Sequence, residues 1–165
     1  MVKFSKNEQN AIEEKYEQLK KVCSGLLSHS ELAEIITKRR INWLKENLNG
    51  MLEKYKNLSP EEQAYRIIYF DHMKIDPEHS KMIRISPTKI KIESYNFCPY
   101  LEASNQLNLD TRCICKEIGE PSIQKMCEII DHRLRFLRNY DNIRPLNGAF
   151  CEEYIEIISV ASDSL

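Results

Sequence analysis

The sequence predicts an α+β domain in which N-terminal helices are followed by an antiparallel sheet of about four strands, with short helices between two hairpins. Three observations carry this reading. Apolar residues recur at steps of three and four through residues 5–70, two later stretches alternate apolar with polar residues, and turn-forming residues join the members of each alternating pair.

In chain order, Ser5 and Glu8 form a capping box, and Ile12, Tyr16, Leu19, Cys23 and Leu26 share one helical stripe, which assigns Cys23 to the core. Ser28 and Glu31 form a second capping box, opening a longer helix in which Leu32, Ile35, Ile36, Leu44, Leu48, Met51, Leu52 and Tyr55 keep helical spacing. Ser59-Pro60-Glu61-Glu62 is a third start, with proline at the first helical position and acidic residues in the first turn; Ala64, Tyr65, Ile68 and Tyr69 follow. These helices read as scaffold or as the contact surface of a homodimer. Asp76-Pro77 marks a loop, after which Met82 to Ser86 and Lys89 to Tyr95 form a hairpin across Ser86-Pro87-Thr88. A short helix is expected from Pro99 to Leu107, another from an Asp110 cap to Gly119, and a third from Pro121 with Ile123, Met126, Cys127 and Ile130 on its apolar stripe. The second hairpin joins Arg133–Asn139 to Phe150–Ser159 through the turn-rich segment 140–148. The whole is read as one domain over residues 1–165, with a helical part at 1–72 and a cysteine-containing α+β part at 80–160.

Composition narrows the function classes. The 165 residues carry 24 Lys and Arg against 25 Asp and Glu, a formal net charge of −1, which argues against a nucleic-acid binder. Lys38-Arg39-Arg40 reads as a solvated helical face, and Arg84, Lys89 and Lys91 as the outer face of the first hairpin. No stretch approaches the ~18 apolar residues of a membrane span, and the start lacks a signal-peptide pattern, so the expectation is a cytoplasmic protein that does not engage membranes. His29, His72, His79 and His132 lack paired metal-ligand spacing and read as surface or capping residues; only four glycines are present and none forms a phosphate loop.

Six cysteines remain to be explained. In a chain expected to sit in a reducing compartment, burial, catalysis or metal binding are the alternatives to disulfides. Cys23 and Cys127 fall on core stripes. Cys98 directly precedes Pro99 at an expected helix N-terminus, where it is either a thiolate favoured by the dipole, reactive or metal-binding, or a small buried hydrophobe at a strand-to-helix corner. Cys113 and Cys115, two apart on a helix, point to nearly opposite sides, and it is Cys115 that shares a face with Ile118 and looks inward. Cys151 opens the last strand on the face of Glu153, Ile155 and Ile157, and Arg138 shares a face with Leu134 and Phe136 on the strand before it. An inward Arg138 and Glu153 form either a structural ion pair or a site in which Arg138 clamps a ligand's carboxylate; Arg144 is the second candidate anion contact.

Phe97-Cys98-Pro99-Tyr100, Cys115, Leu134-Arg135-Phe136-Leu137-Arg138 and Cys151-Glu152-Glu153-Tyr154-Ile155 together resemble the L-2-amino-thiazoline-4-carboxylic acid hydrolase family, over residues 80–158. The pattern is also similar to small-molecule sensor domains of the vinyl reductase type, whose cysteines hold zinc beside a ligand pocket. The resemblance implies a hydrolase acting on a small carboxylate-bearing substrate, with Cys98 as activated thiolate, Glu153 as acid or base, and Arg138 and Arg144 on the substrate. Alternatively, Cys98, Cys115 and Cys151 bind zinc, either activating water or serving as the structural metal of a non-catalytic ligand-binding or sensor domain.

Overall fold

The computed structural model describes residues 3–145 and 149–159. Its elements follow the expected order: α1 (Lys6–Cys23), α2 (His29–Lys54), α3 (Pro60–Tyr65), β1 (Ser80–Ser86), β2 (Lys89–Ser94), α4 (Pro99–Gln106), α5 (Thr111–Ile114), α6 (Glu120–Ile130), β3 (Leu134–Asn139) and β4 (Cys151–Ile157). Both capping boxes form, Ser5 with Glu8 and Ser28 with Glu31, each satisfying the first-turn N–H groups that a helix leaves open. Two helices do not stop where α-geometry ends. α3 runs on in a π-helical segment, Arg66–His72, and α5 is joined to α6 by another, Cys115–Gly119. Residues 146–148 of the turn-rich segment lie outside the described residues.

The four strands form one antiparallel sheet in the order β1-β2-β4-β3. Its register places Met82, Ile92, Glu153 and Arg138 side by side in one row, and Ile90, Ile155 and Phe136 in the next. Because side chains alternate along a strand, this inner face is mostly apolar, interrupted by the Glu153–Arg138 pair, by Ser80 and Ser94, and at the β1 edge by Arg84. The other face carries Lys89, Lys91, Glu93, Glu152 and Glu156, cross-linked as Lys89–Glu156 at 3.1 Å and Lys91–Glu93 at 2.9 Å. Those half-buried pairs on the solvent side of the sheet contribute little to stability.

Helices cover the inner face. Ile90, Ile92, Phe136 and Ile155 pack with Leu44 of α2, Ala64, Tyr65, Ile67, Ile68 and Tyr69 of the α3 segment, and Ile123, Met126 and Cys127 of α6. A second cluster joins Leu19 of α1 to Leu32 and Ile36 of α2, Ala103 of α4, and Ile114 and Ile118. Ile12 and Leu19 of α1 and Leu32, Ile36 and Leu44 of α2 are therefore buried within the chain, whereas Leu26 and Ile35, expected on the same stripes, are exposed. No helix among the described residues is long and apolar enough to cross a membrane.

Three readings change. Cys23 is exposed, because it closes α1 and the stripe runs out past the last turn that packs. Arg84 lies opposite Ile90 on the helix-covered side, where it reaches Glu61 and Glu62 in the first turn of α3. Of the Lys38-Arg39-Arg40 run only Lys38 and Arg39 are solvated; Arg40 turns inward between Ile36 and Leu44, each four residues away.

Ile92 is fully buried in β2, between both neighbouring strands and under the helices. Ile92→Ala is expected to lower unfolding free energy by about 2–5 kcal/mol, measured by urea denaturation.

Candidate functional site

Arg138 and Glu153 stand directly opposite each other on β3 and β4 and form a buried ion pair, with Arg138 Nε donating to Glu153 Oε1 at 2.8 Å and Nη2 to the same oxygen. The second carboxylate oxygen accepts from the hydroxyls of Tyr69 and Ser94. Burial works against the Arg138 charge, but the adjacent carboxylate outweighs it and holds the guanidinium protonated above its ordinary range. Tyr69 is pushed up by burial first and by Glu153 second, so its hydroxyl keeps its proton and donates a hydrogen bond to the carboxylate. Both oxygens of Glu153 are engaged. The arrangement has the completeness that a buried pair needs to offset its desolvation.

The cysteines lie around this pair. Cys98 is the N-cap of α4, but burial of its sulfur raises its pKa; the Leu101 N–H and the Arg144 guanidinium oppose this without reversing it. Desolvation outweighs the dipole of an eight-residue helix. Cys115 sits in the π-helical turn facing Arg138, Cys98, Cys151 and Glu153, its thiol pushed up to about 12 by burial. Cys151 receives Arg144 Nε at 3.5 Å, and Arg144 Nη1 donates to the Asn96 carbonyl at 2.7 Å. Cys113 points away, toward Glu117 at 3.4 Å, as two-residue spacing on a helix requires. Cys127 is buried in α6 with its thiol also near 12.

Zinc implied by the resemblance needs its donors converged. Cys98, Cys115 and Cys151 do not form a set in which every ligand atom lies within 4.8 Å of the others; among the described residues, only His29, Cys113 and Glu117 do. The three inward thiols therefore do not fit a preassembled zinc site, and no chemistry is derived through one.

A cavity of about 520 Å³ opens beside Cys98, between α2, the end of the α3 segment and the start of α4. It lies within the size range of small-molecule sites. Arg40, Arg39, Lys15 and Lys74 line it, with His72, Tyr100 and Cys98. The carboxylates on its wall, Glu8 and Asp76, are turned to backbone N–H groups of Ser5 and Glu78. Arg40 is the unusual member. Its Nη1 is buried without a hydrogen-bond partner, and it forms no salt bridge with any described residue. Desolvation, opposed by Tyr100 and reinforced by Arg138, lowers its pKa, while the group remains a cation at any ordinary pH. His72 Nδ1, beside it, is also buried and unpartnered, and its ring meets Trp43 at a centroid distance of 4.5 Å. Burial, then Arg40 and Lys74, depress His72 to about 4.

The reading of the residues found Cys98, Cys115, Cys151, Arg138, Glu153 and Arg144, and the structure gathers them at one end of the sheet. It read Arg40 as solvated and His72 as a surface or capping residue, and gave Tyr100 no role of its own. Arg40 carried a signal: it stands four residues from Ile36 and four from Leu44 on the buried stripe. No family model, no curated protein and no solved structure matches the chain.

Two outcomes follow. Glu153→Gln leaves Arg138 buried beside a neutral amide and is expected to cost about 3–5 kcal/mol of stability in denaturant titrations. For His72, the folded value near 4 lies below the solvated 6.5, so between these limits the unfolded chain holds the additional proton. The neutral ring's contribution is complete above about pH 6.5 and is lost as pH falls toward 4. Urea midpoints measured across that window should decline, and His72→Gln should flatten the decline.

Proposed function

We propose that the chain binds a compact organic anion carrying a carboxylate in the 520 Å³ cavity, with Arg40 as the anchoring cation. One observation carries this reading: a buried guanidinium with an unpartnered Nη1 on the wall of a cavity whose own carboxylates are turned elsewhere. A buried cation left unmatched within the chain is costly, and a ligand oxyanion supplies the missing acceptor. Arg138 does not act as the clamp in this reading, because Glu153 holds it. The apolar parts of Ile36, Ile75, Phe97 and Pro99 surround the remainder of the ligand. The site works as a non-catalytic binding or sensor site in the cytoplasm, since burial raises the pKa of the Cys98 thiol and no side chain among the described residues accepts a hydrogen bond from its sulfur.

A hydrolase is the second reading, favoured by the position of Cys98 on the same cavity wall. There Cys98 must lose its proton before attacking a carboxylate-bearing ring, against the burial that raises its pKa.

L-2-amino-thiazoline-4-carboxylate separates the two. Calorimetric binding without loss of the compound supports the binding domain, and turnover abolished by Cys98→Ser supports the hydrolase. If it and a panel of small mono- and dicarboxylates all fail to bind, both are overturned. Arg40→Met is expected to weaken carboxylate binding roughly ten- to hundredfold, the equivalent of about 1.5–3 kcal/mol for a charged hydrogen bond. The same variant should melt no lower than the parent without ligand, because it removes an unmatched cation.

A further inference from the structure

At the first turn of α2, away from the residues that line the 520 Å³ cavity, His29, Cys113 and Glu117 come together from distant parts of the chain. His29 is the first residue of α2, immediately after the Ser28 cap, and Cys113 and Glu117 lie one turn apart on α5 and its π-helical continuation. His29 Nδ1 is 2.6 Å from Glu117 Oε2, Cys113 Sγ is 3.4 Å from Glu117 Oε1, and all three donor atoms lie within 4.8 Å of one another. Donors bonded to one tetrahedral zinc at about 2.0–2.3 Å stand roughly 3.3–3.8 Å apart, so side-chain rotation alone closes the set around an ion.

We propose that His29, Cys113 and Glu117 form a three-ligand site for a divalent transition metal, zinc by its donor chemistry, with the fourth position open to solvent. One imidazole nitrogen, one thiolate sulfur and one carboxylate oxygen is a mixture that zinc accepts and that calcium or magnesium, bound through oxygen alone, does not. His29 and Glu117 also line a groove of about 1000 Å³ with Ser30, Lys45 and Lys116, so an ion there faces open space on the side its protein ligands leave free. On binding, the Cys113 proton is released to solvent and the sulfur bonds the metal as thiolate. The ion then ties the first turn of α2 to the α5 segment, adding to packing and to the His29–Glu117 contact that already joins them.

Cobalt(II) reports the sulfur directly. The full chain, stripped with EDTA and titrated with Co²⁺, should develop a thiolate-to-cobalt charge-transfer band that saturates near one equivalent and is bleached by Zn²⁺. Cys113→Ser should abolish the band, while His29→Gln and Glu117→Gln should weaken binding at least tenfold. Cys98→Ser, Cys115→Ser and Cys151→Ser should leave it unchanged. His29 and Glu117 have side chains 38% and 48% exposed, so their variants should retain the parent's metal-free thermal melt. Absence of the band in the parent, its survival in Cys113→Ser, or its loss on replacing any of the three inward thiols overturns the proposal.

Discussion

The pairing of Arg138 with Glu153 across β3 and β4 is the constraint around which the rest is arranged. A charged row in the inner face of a small sheet is expensive unless every acceptor is used, and here the neighbouring elements supply what the two strands lack. Tyr69 reaches Glu153 from the α3 segment and Ser94 reaches it from β2. The pair thus specifies which residue of the α3 segment lies over which row of the sheet, a selection that apolar packing by Ile67 and Ile68 makes only loosely. It also sets the electrostatic surroundings of Cys115, whose sulfur faces Arg138.

A comparison of the two inward arginines shows why one is structural and the other is available. The Arg138 charge lies close enough to Arg40 to lower its pKa, and one carboxylate, Glu153, lies between β3 and β4 to answer the two. Arg138 takes it in a two-nitrogen contact. Arg40 is left to the aromatic hydroxyl groups and thiols around it, which are neutral: Tyr100 and Cys98 are both pushed up by burial. Arg144, which donates to the Asn96 carbonyl and the Cys151 sulfur, likewise meets no carboxylate among the described residues, so the local balance is cationic. In a chain whose overall charge is only −1, that excess is invisible in the total and appears only once the interior is resolved.

Much of this was legible in the residues. Strand alternation alone put Arg138 on the face of Leu134 and Phe136, and Glu153 on the face of Cys151 and Ile155, and the register then made them partners. Two-residue spacing on a helix separated Cys113 from Cys115 correctly, and both capping boxes located helix starts. Arg40 escaped because a Lys-Arg-Arg run reads as solvated when taken as a block, whereas the helix rotates successive residues by about 100° and delivers the third member to the Ile36–Leu44 stripe. Cys23 was misplaced for the converse reason: its spacing fits the stripe, but α1 ends there, and Val22 and Leu27 reach the second cluster while Cys23 and Leu26 face solvent. Arg84 was read from its charge, although its place in the alternation of β1 faces the helices.

The parts of the site that periodicity could not reach lie on the two π-helical segments. In the α3 segment Tyr65, Ile67, Ile68 and Tyr69 are all buried, a density that a 3.6-residue stripe does not allow. A wider turn bonded from i to i+5 changes the angular step, so residues that α-spacing would send to different faces are turned toward the same core. This brings Tyr69 onto Glu153 and, three residues later, His72 onto the wall shared with Arg40. The second segment does the same between α5 and α6, holding Cys115 toward Arg138 while Glu117, on its far side, meets His29. Each irregular turn thus serves the buried pair on one side and supplies a polar group to a surface opening on the other. The sequence contains no proline or glycine inside the Arg66–His72 stretch to announce the change, so the departure from α-geometry follows from tertiary packing and not from local propensity.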